Sequence, residues 1–152
     1  MKLEQAIQQS DFTSNEHRSI LNLIYTFNIF KENQKGFFKT FDITPQQFNV
    51  LRILRGRHPE PFTTSQIRER MLDKMSDASR IVDRLLKKKL VTRRTTKEDR
   101  RLVDVVISEQ GLKLLDRIDN PLEDYMKNTF AGLSDNEINQ LNKLLDKIRD
   151  ND

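Results

Sequence analysis

From Met75 to Arg101, hydroxyl and basic side chains recur at a spacing that keeps apolar residues on the opposite side. In the stretch MSDASRIVDRLLKKK, helical periodicity groups Ala78, Val82, Leu85 and Leu86 on one face, with Ile81 at its margin. Ser76, Asp77, Ser79, Arg80, Asp83, Arg84 and Lys87 occupy the remainder. The apolar face anchors such a helix, and the polar face suits the major groove of a DNA duplex, which is wide enough to admit it. Residues at the N-terminal end of a recognition helix reach base edges. Arg80 is the expected bidentate contact to guanine, and Arg84, one turn later, reaches base or phosphate. Asp77 and Asp83 are weaker contacts; Asp83 either steers an arginine or sits in solvent.

A second basic element follows directly. Leu90 and Val91 begin one β-like segment. In the other, Val103, Val105 and Ile107 alternate with Leu102, Asp104 and Val106. Arg93, Arg94, Lys97, Arg100 and Arg101 surround the turn between them, where a hairpin tip projects. Such a tip contacts phosphates or enters a narrow, electronegative minor groove. Asp99, among these cations, fixes an arginine's orientation through a charge-assisted bond. A basic hairpin alone is a weak signal; one that follows a helix-turn-helix pattern is strong.

Charge supports the same location. Residues 68 to 101 hold 13 Lys and Arg against 6 Asp and Glu, a balance of +7. Residues 102 to 152 carry −5 and residues 1 to 67 carry +2, so the overall +4 conceals a basic middle and an acidic C-terminal third. Segregation of this kind points to a polyanionic partner for the middle segment.

The positioning elements are legible from their starts. Thr44 can cap a helix with Pro45 at its first position and Gln47 completing a capping box, while Ile43 and Phe48 are spaced as a hydrophobic staple. Thr63 and Gln66, with Phe62 and Ile67, repeat the arrangement, and Ser134 and Glu137 repeat it again. Thr13 and Glu16 form a weaker version. The pattern predicts helices over about 14–41, 45–57, 64–71 and 76–88, the second stopped by His58-Pro59-Glu60-Pro61. Ser108 caps a fifth helix whose stripe includes Leu115, Ile118, Leu122 and Tyr125, and Pro121 should kink or split it. Ile138, Leu141, Leu145 and Ile148 mark the last helix. The narrow seams of the two terminal helices suit packing on each other within one chain or against a second copy, and the long first helix, which also needs a partner, favours the second copy. Phe37, Phe38 and Phe41 are read as core or dimer seam rather than ligand wall.

At 152 residues, with 33% charged residues and only four glycines and four prolines, the chain suits one helix-rich domain. No apolar run is long enough to span a bilayer, and the N-terminus lacks the core of a signal peptide. A cytoplasmic protein without membrane partners is expected. Zero cysteines exclude disulfides, thiol catalysis and thiol sensing. His17 and His58 lie in different segments, and neither a glycine-rich phosphate loop nor metal-ligand spacing occurs, so neither an enzyme nor a cofactor is expected.

The run from Phe62 to Leu115, with Ser79-Arg80-Ile81-Val82-Asp83-Arg84-Leu85, Leu90-Val91, Asp99-Arg100-Arg101 and Ser108-Glu109-Gln110-Gly111, resembles the MarR family of bacterial winged-helix regulators. The likeness extends less specifically to the flanking helices. It implies a homodimer held by N- and C-terminal helices, two winged helix-turn-helix lobes reading a palindromic site, and repression relieved by a small aromatic or anionic effector. Members commonly carry glycine where this chain has Lys89. In the wing, Thr96 and Glu98 depart from the usual pattern, with Glu98 in place of an arginine, which shifts specificity toward Arg80 and Arg84.

The expected fold is therefore mainly α with a small β-hairpin. A DNA-binding lobe spans about 44–107, with dimerisation helices over about 12–41 and 108–150. The candidate DNA contacts are Thr63, Thr64, Lys74, Ser76, Asp77, Ser79, Arg80, Arg84, Lys87, Lys97, Arg100 and Arg101; no ligand-binding residue is assigned. The competing reading is a winged-helix adaptor that binds protein through its acidic terminal helices.

Overall fold

Helix starts in the computed structural model, which describes residues 1–95 and 103–150, follow the capping chemistry closely. The chain runs α1 (Leu3–Ile7), α2 (Asn15–Lys39), α3 (Pro45–Arg55), β1 (Phe62–Thr63), α4 (Thr64–Arg70) and α5 (Ala78–Lys87). It continues through β2 (Val91–Thr95), β3 (Val103–Ile107), α6 (Glu109–Thr129) and α7 (Asp135–Arg149). At the start of α3, the Thr44 hydroxyl accepts from the Gln47 amide at 3.1 Å, and the Gln47 side chain accepts from the Thr44 amide at 3.0 Å. Thr63 and Gln66 do the same for α4, and Ser134 and Glu137 for α7. Each cap satisfies an amide that has no partner within its helix and is worth about 1 kcal/mol.

Four expectations need correction. The cap of α2 is Ser14, whose hydroxyl accepts from the His17 amide at 3.2 Å; Thr13 instead turns its hydroxyl toward His17 Nδ1. α1 was not anticipated: it has no apolar period, and what holds it is buried Leu3 and a 2.8 Å pair between Glu4 and Arg18. α6 passes through Pro121 without splitting, since one missing amide costs less than the packing on either side preserves. The hairpin gains a third strand, because Phe62 and Thr63 pair antiparallel with Val105 and Asp104, giving the order β1-β3-β2. Central placement buries Val105, Val106 and Ile107 in succession, which overrides simple alternation.

One core joins these elements. Leu51 and Leu54 of α3, Ile67 of α4, Val82 and Leu85 of α5, Val105 of β3, and Leu115 and Ile118 of α6 are all fully enclosed. Each such side chain contributes on the order of 2 kcal/mol through lost apolar exposure. The C-terminal end of α2 joins them through Phe38, stacked on Phe48 with centroids 4.5 Å apart. Farther toward its N-terminus, α2 leaves Ile20, Ile24 and Phe27 at 56%, 53% and 62% exposure, and α7 buries no residue within the chain.

The end of α5 adopts a Schellman turn. Lys89 donates to the Leu86 carbonyl at 2.9 Å and Leu90 to that of Leu85 at 3.0 Å, with Lys89 left-handed at φ 59°. A β-carbon in that conformation is strained by about 1 kcal/mol. Lys89→Gly should therefore raise stability by about 0.5–1 kcal/mol. A thermal melt checks this, and an unchanged or lower Tm would refute the strain.

Candidate nucleic-acid interface

Helix α5 is held by Ala78, Val82 and Leu85, all buried, so the opposite face carrying Ser79, Arg80, Asp83, Arg84 and Lys87 lies in solvent. Asp77 is its N-cap: one carboxylate oxygen accepts from the Arg80 amide at 3.1 Å, and the other lies 3.3 Å from Arg80 Nε. The sequence placed Asp77 among the groups facing DNA, whereas here its carboxylate orders the helix start and orients Arg80. Ser76 lies just before, donating its hydroxyl to Asp73 at 2.7 Å. That bond, seconded by the Met75 amide, holds the Asp73 carboxyl below the ordinary carboxylate range.

The starts of α4 and α5 converge on a cleft of about 440 Å³ lined by Thr64, Ser65, Arg68, Met75, Ser76, Asp77, Ala78 and Ser79. The structure thus unites Thr64, Ser76, Asp77 and Ser79, with Arg80 and Arg84 along the adjoining helix face. Thr63 stands apart, half-buried and committed to capping α4. Lys74 turns its ammonium onto the carbonyl of Glu69. Lys97, Arg100 and Arg101 lie outside the described residues, as do Thr96, Glu98 and Asp99. Asp83 meets Arg93 of β2, so it steers an arginine of the hairpin.

Ser65 and Arg68 escaped the sequence reading, although their place in the first turns of a capped helix was a usable signal. Arg57 and Arg70 were also missed. Their guanidinium groups stand 4.9 and 4.6 Å from the centroid of buried Phe62, a cation–π arrangement that depends on the third strand.

A further charged group ties the lobe to α6. Arg55 grips Asp119 with two bonds of 2.7 and 3.0 Å; Arg52 adds a contact at 3.3 Å, and Asp116 lies 3.7 Å from Arg55. The Arg55 guanidinium, through these hydrogen bonds, holds the Asp119 carboxyl below its usual range. A carboxylate depressed in this way stabilises the fold above its unfolded pKa and loses that contribution as pH falls through its folded value. The stability gap between the parent chain and Asp119→Asn should be present at neutral pH and close below about pH 4. Urea titrations at several pH values measure it; a constant gap would contradict the ionic role.

On the far side of α5, Phe41, Ile43, Lys88, Lys113 and Arg117 border a second cleft, of about 390 Å³, between the lobe and α6. Lys88 is paired there with Asp42 at 2.6 Å.

Two helices joined by the seven-residue connection 71–77, with the second exposed and a sheet hairpin beside it, define a winged helix-turn-helix protein. A MarR family model matches residues 41–102. The crystal structure of a MarR transcription factor from Planctomyces limnophilus is 32% identical, with a TM-score of 0.69, covering 91% of this chain and 98% of that one. The chain belongs to the MarR family of transcriptional regulators. It is also similar to a mutant MarR from E. coli solved in complex with operator DNA (26% identity, TM-score 0.74, coverage 91% and 99%). The HTH-type transcriptional repressor IacR of Pseudomonas putida is 26% identical over 119 residues, 78% of this chain and 70% of that protein.

Proposed function

We propose that this protein is a sequence-specific DNA-binding repressor that acts in the cytoplasm as a homodimer on a palindromic operator and is released by a small aromatic or anionic molecule. The observation that carries this reading is the exposed face of α5, with Ser79, Arg80 and Arg84 beside the cleft where α4 and α5 begin. Thr64 and Ser79 donate hydroxyls to phosphate or base edges, and Ser76 does so on exchanging its Asp73 partner for DNA; Arg80 and Arg84 read bases, and Lys87 supplies phosphate contact. Asp77 acts through its cap. Residues about 44–107 form the reading lobe, and the helices on either side pair the copies.

The dimer is supported by the apolar face of α2, since exposed residues such as Ile20, Ile24 and Phe27 in a row mark an association surface. Leu144 and Ile148 of α7 present a matching exposed stripe. The cleft bordered by Lys113 and Arg117, where Lys88 is already paired with Asp42, offers cationic groups and the Phe41 ring to an anionic or aromatic effector.

Binding to a duplex of arbitrary sequence, measured over a range of salt concentrations, tests the central claim. Affinity should fall steeply as salt rises, because phosphate contacts release counterions. Flat or absent binding would favour a protein-binding adaptor instead. Light scattering that returned a monomer of 18.0 kDa would remove the paired half-sites.

A further inference from the structure

The ion cluster between α3 and α6 does more than add stability. Side-chain exposure of 25% for Arg55 and 38% for Asp119 keeps its net energetic contribution small. Its geometry is what stands out. The Arg55 fork meets both Asp119 oxygens, and Arg52, one turn earlier on α3, reaches the same carboxylate. Around it, Leu51, Leu54, Leu115 and Ile118 make the apolar contact between the two helices. Apolar packing is tolerant of small rotations, whereas a bidentate pair is directional. Two residues beyond Asp119, Pro121 cannot donate to the Arg117 carbonyl, so α6 lacks one rung of its ladder beside the cluster. The helix is thus least constrained by its own backbone where α3 takes hold of it. On its other side, α3 packs against the recognition helix α5.

We infer that Asp119, gripped by Arg55 and Arg52, is a positioning residue that sets the angle between the reading lobe and α6, and through it the half-site spacing the dimer accepts. This rests on the homodimeric DNA-binding reading above. Adding one base pair between half-sites shifts one of them by about 3.4 Å and rotates it by about 34°. A lobe held rigidly discriminates against that change, and a lobe free to swivel tolerates it.

The probe is a symmetric duplex selected by the parent protein from a randomised pool, together with versions carrying one base pair more or fewer at its centre and an isolated half-site. The parent should prefer the selected spacing by about fivefold or more, and Asp119→Asn should lose most of that preference while binding the half-site as before. Asp119→Glu, which keeps the carboxylate, should recover it in part. Arg55→Lys keeps the charge but not the fork, so it should resemble Asp119→Asn and covers the case in which that variant folds poorly. Unchanged spacing preference in both variants would overturn the inference and leave the dimeric reading intact. Equal loss on every duplex, half-site included, would also overturn it, assigning the cluster to stability alone. A parent protein that selects no paired half-sites would overturn the dimeric reading, and the inference with it.

Discussion

Gly111→Ala is expected to destabilise the protein severely, by about 3 kcal/mol or more, at the upper end of what overpacking costs. A β-carbon at this position would stand 2.3 Å from the Leu90 carbonyl oxygen and 2.7 Å from Ile107 Cγ1. The first of these is backbone and cannot swing aside. Ser108 locks the same junction: its amide donates to the Leu90 carbonyl at 3.0 Å and its hydroxyl to the Lys89 carbonyl at 2.7 Å. The same hydroxyl accepts from the Gly111 amide at 3.1 Å, capping α6. The end of α5, the end of β3 and the start of α6 therefore meet at one glycine. Helix propensity alone would favour alanine here by about 1 kcal/mol, so the sign of the effect separates packing from propensity. For a chain of this size, each kcal/mol moves Tm by about 2–4 °C, so a fall near 10 °C is expected by calorimetry. A Tm that stayed level or rose would show that the junction opens without cost. Gly36 provides the contrast, because a β-carbon there meets nothing within 4 Å among the described residues.

The second large effect concerns reading rather than folding. Arg80→Ala should reduce the preference for operator over random duplex by about 1–3 kcal/mol, roughly five- to 150-fold. Its guanidinium stands in solvent on the first turn of α5, oriented by the Asp77 carboxylate at 3.3 Å. Lys87, at the other end of the helix, should behave differently on replacement by alanine. All duplexes should weaken alike, and the slope of log affinity against log salt should fall by about one. Titrations of both variants against operator and random duplex, at two salt concentrations, separate these roles. Equal loss on both duplexes for Arg80→Ala would place that residue on phosphate.

Local chemistry made much of the fold legible. The boxes at Thr44, Thr63 and Ser134 act within four residues, so their sequence pattern and their geometry coincide. The face of α5 was readable for the same reason: Ala78, Val82 and Leu85 recur at the helical period and need only a core beneath them. The capping role of Asp77 was not legible, because a carboxylate at a helix start serves equally as a cap or as a surface charge until the helix boundary is known. Arg55 and Asp119 were invisible, being 64 residues apart with no local pattern joining them.

The sequence by itself determined the helix starts, the basic middle segment, the polar face led by Arg80 and the likeness to MarR regulators. These depend on residue type and short-range spacing, which folding preserves. Tertiary structure alone decided that Phe62 and Thr63 add a third strand, that Lys89 is left-handed and that Gly111 has no room for a side chain. It also decided that Arg55 and Arg52 converge on Asp119. Each of these depends on groups distant in sequence being brought within a few ångströms, and no periodicity along the chain encodes that distance.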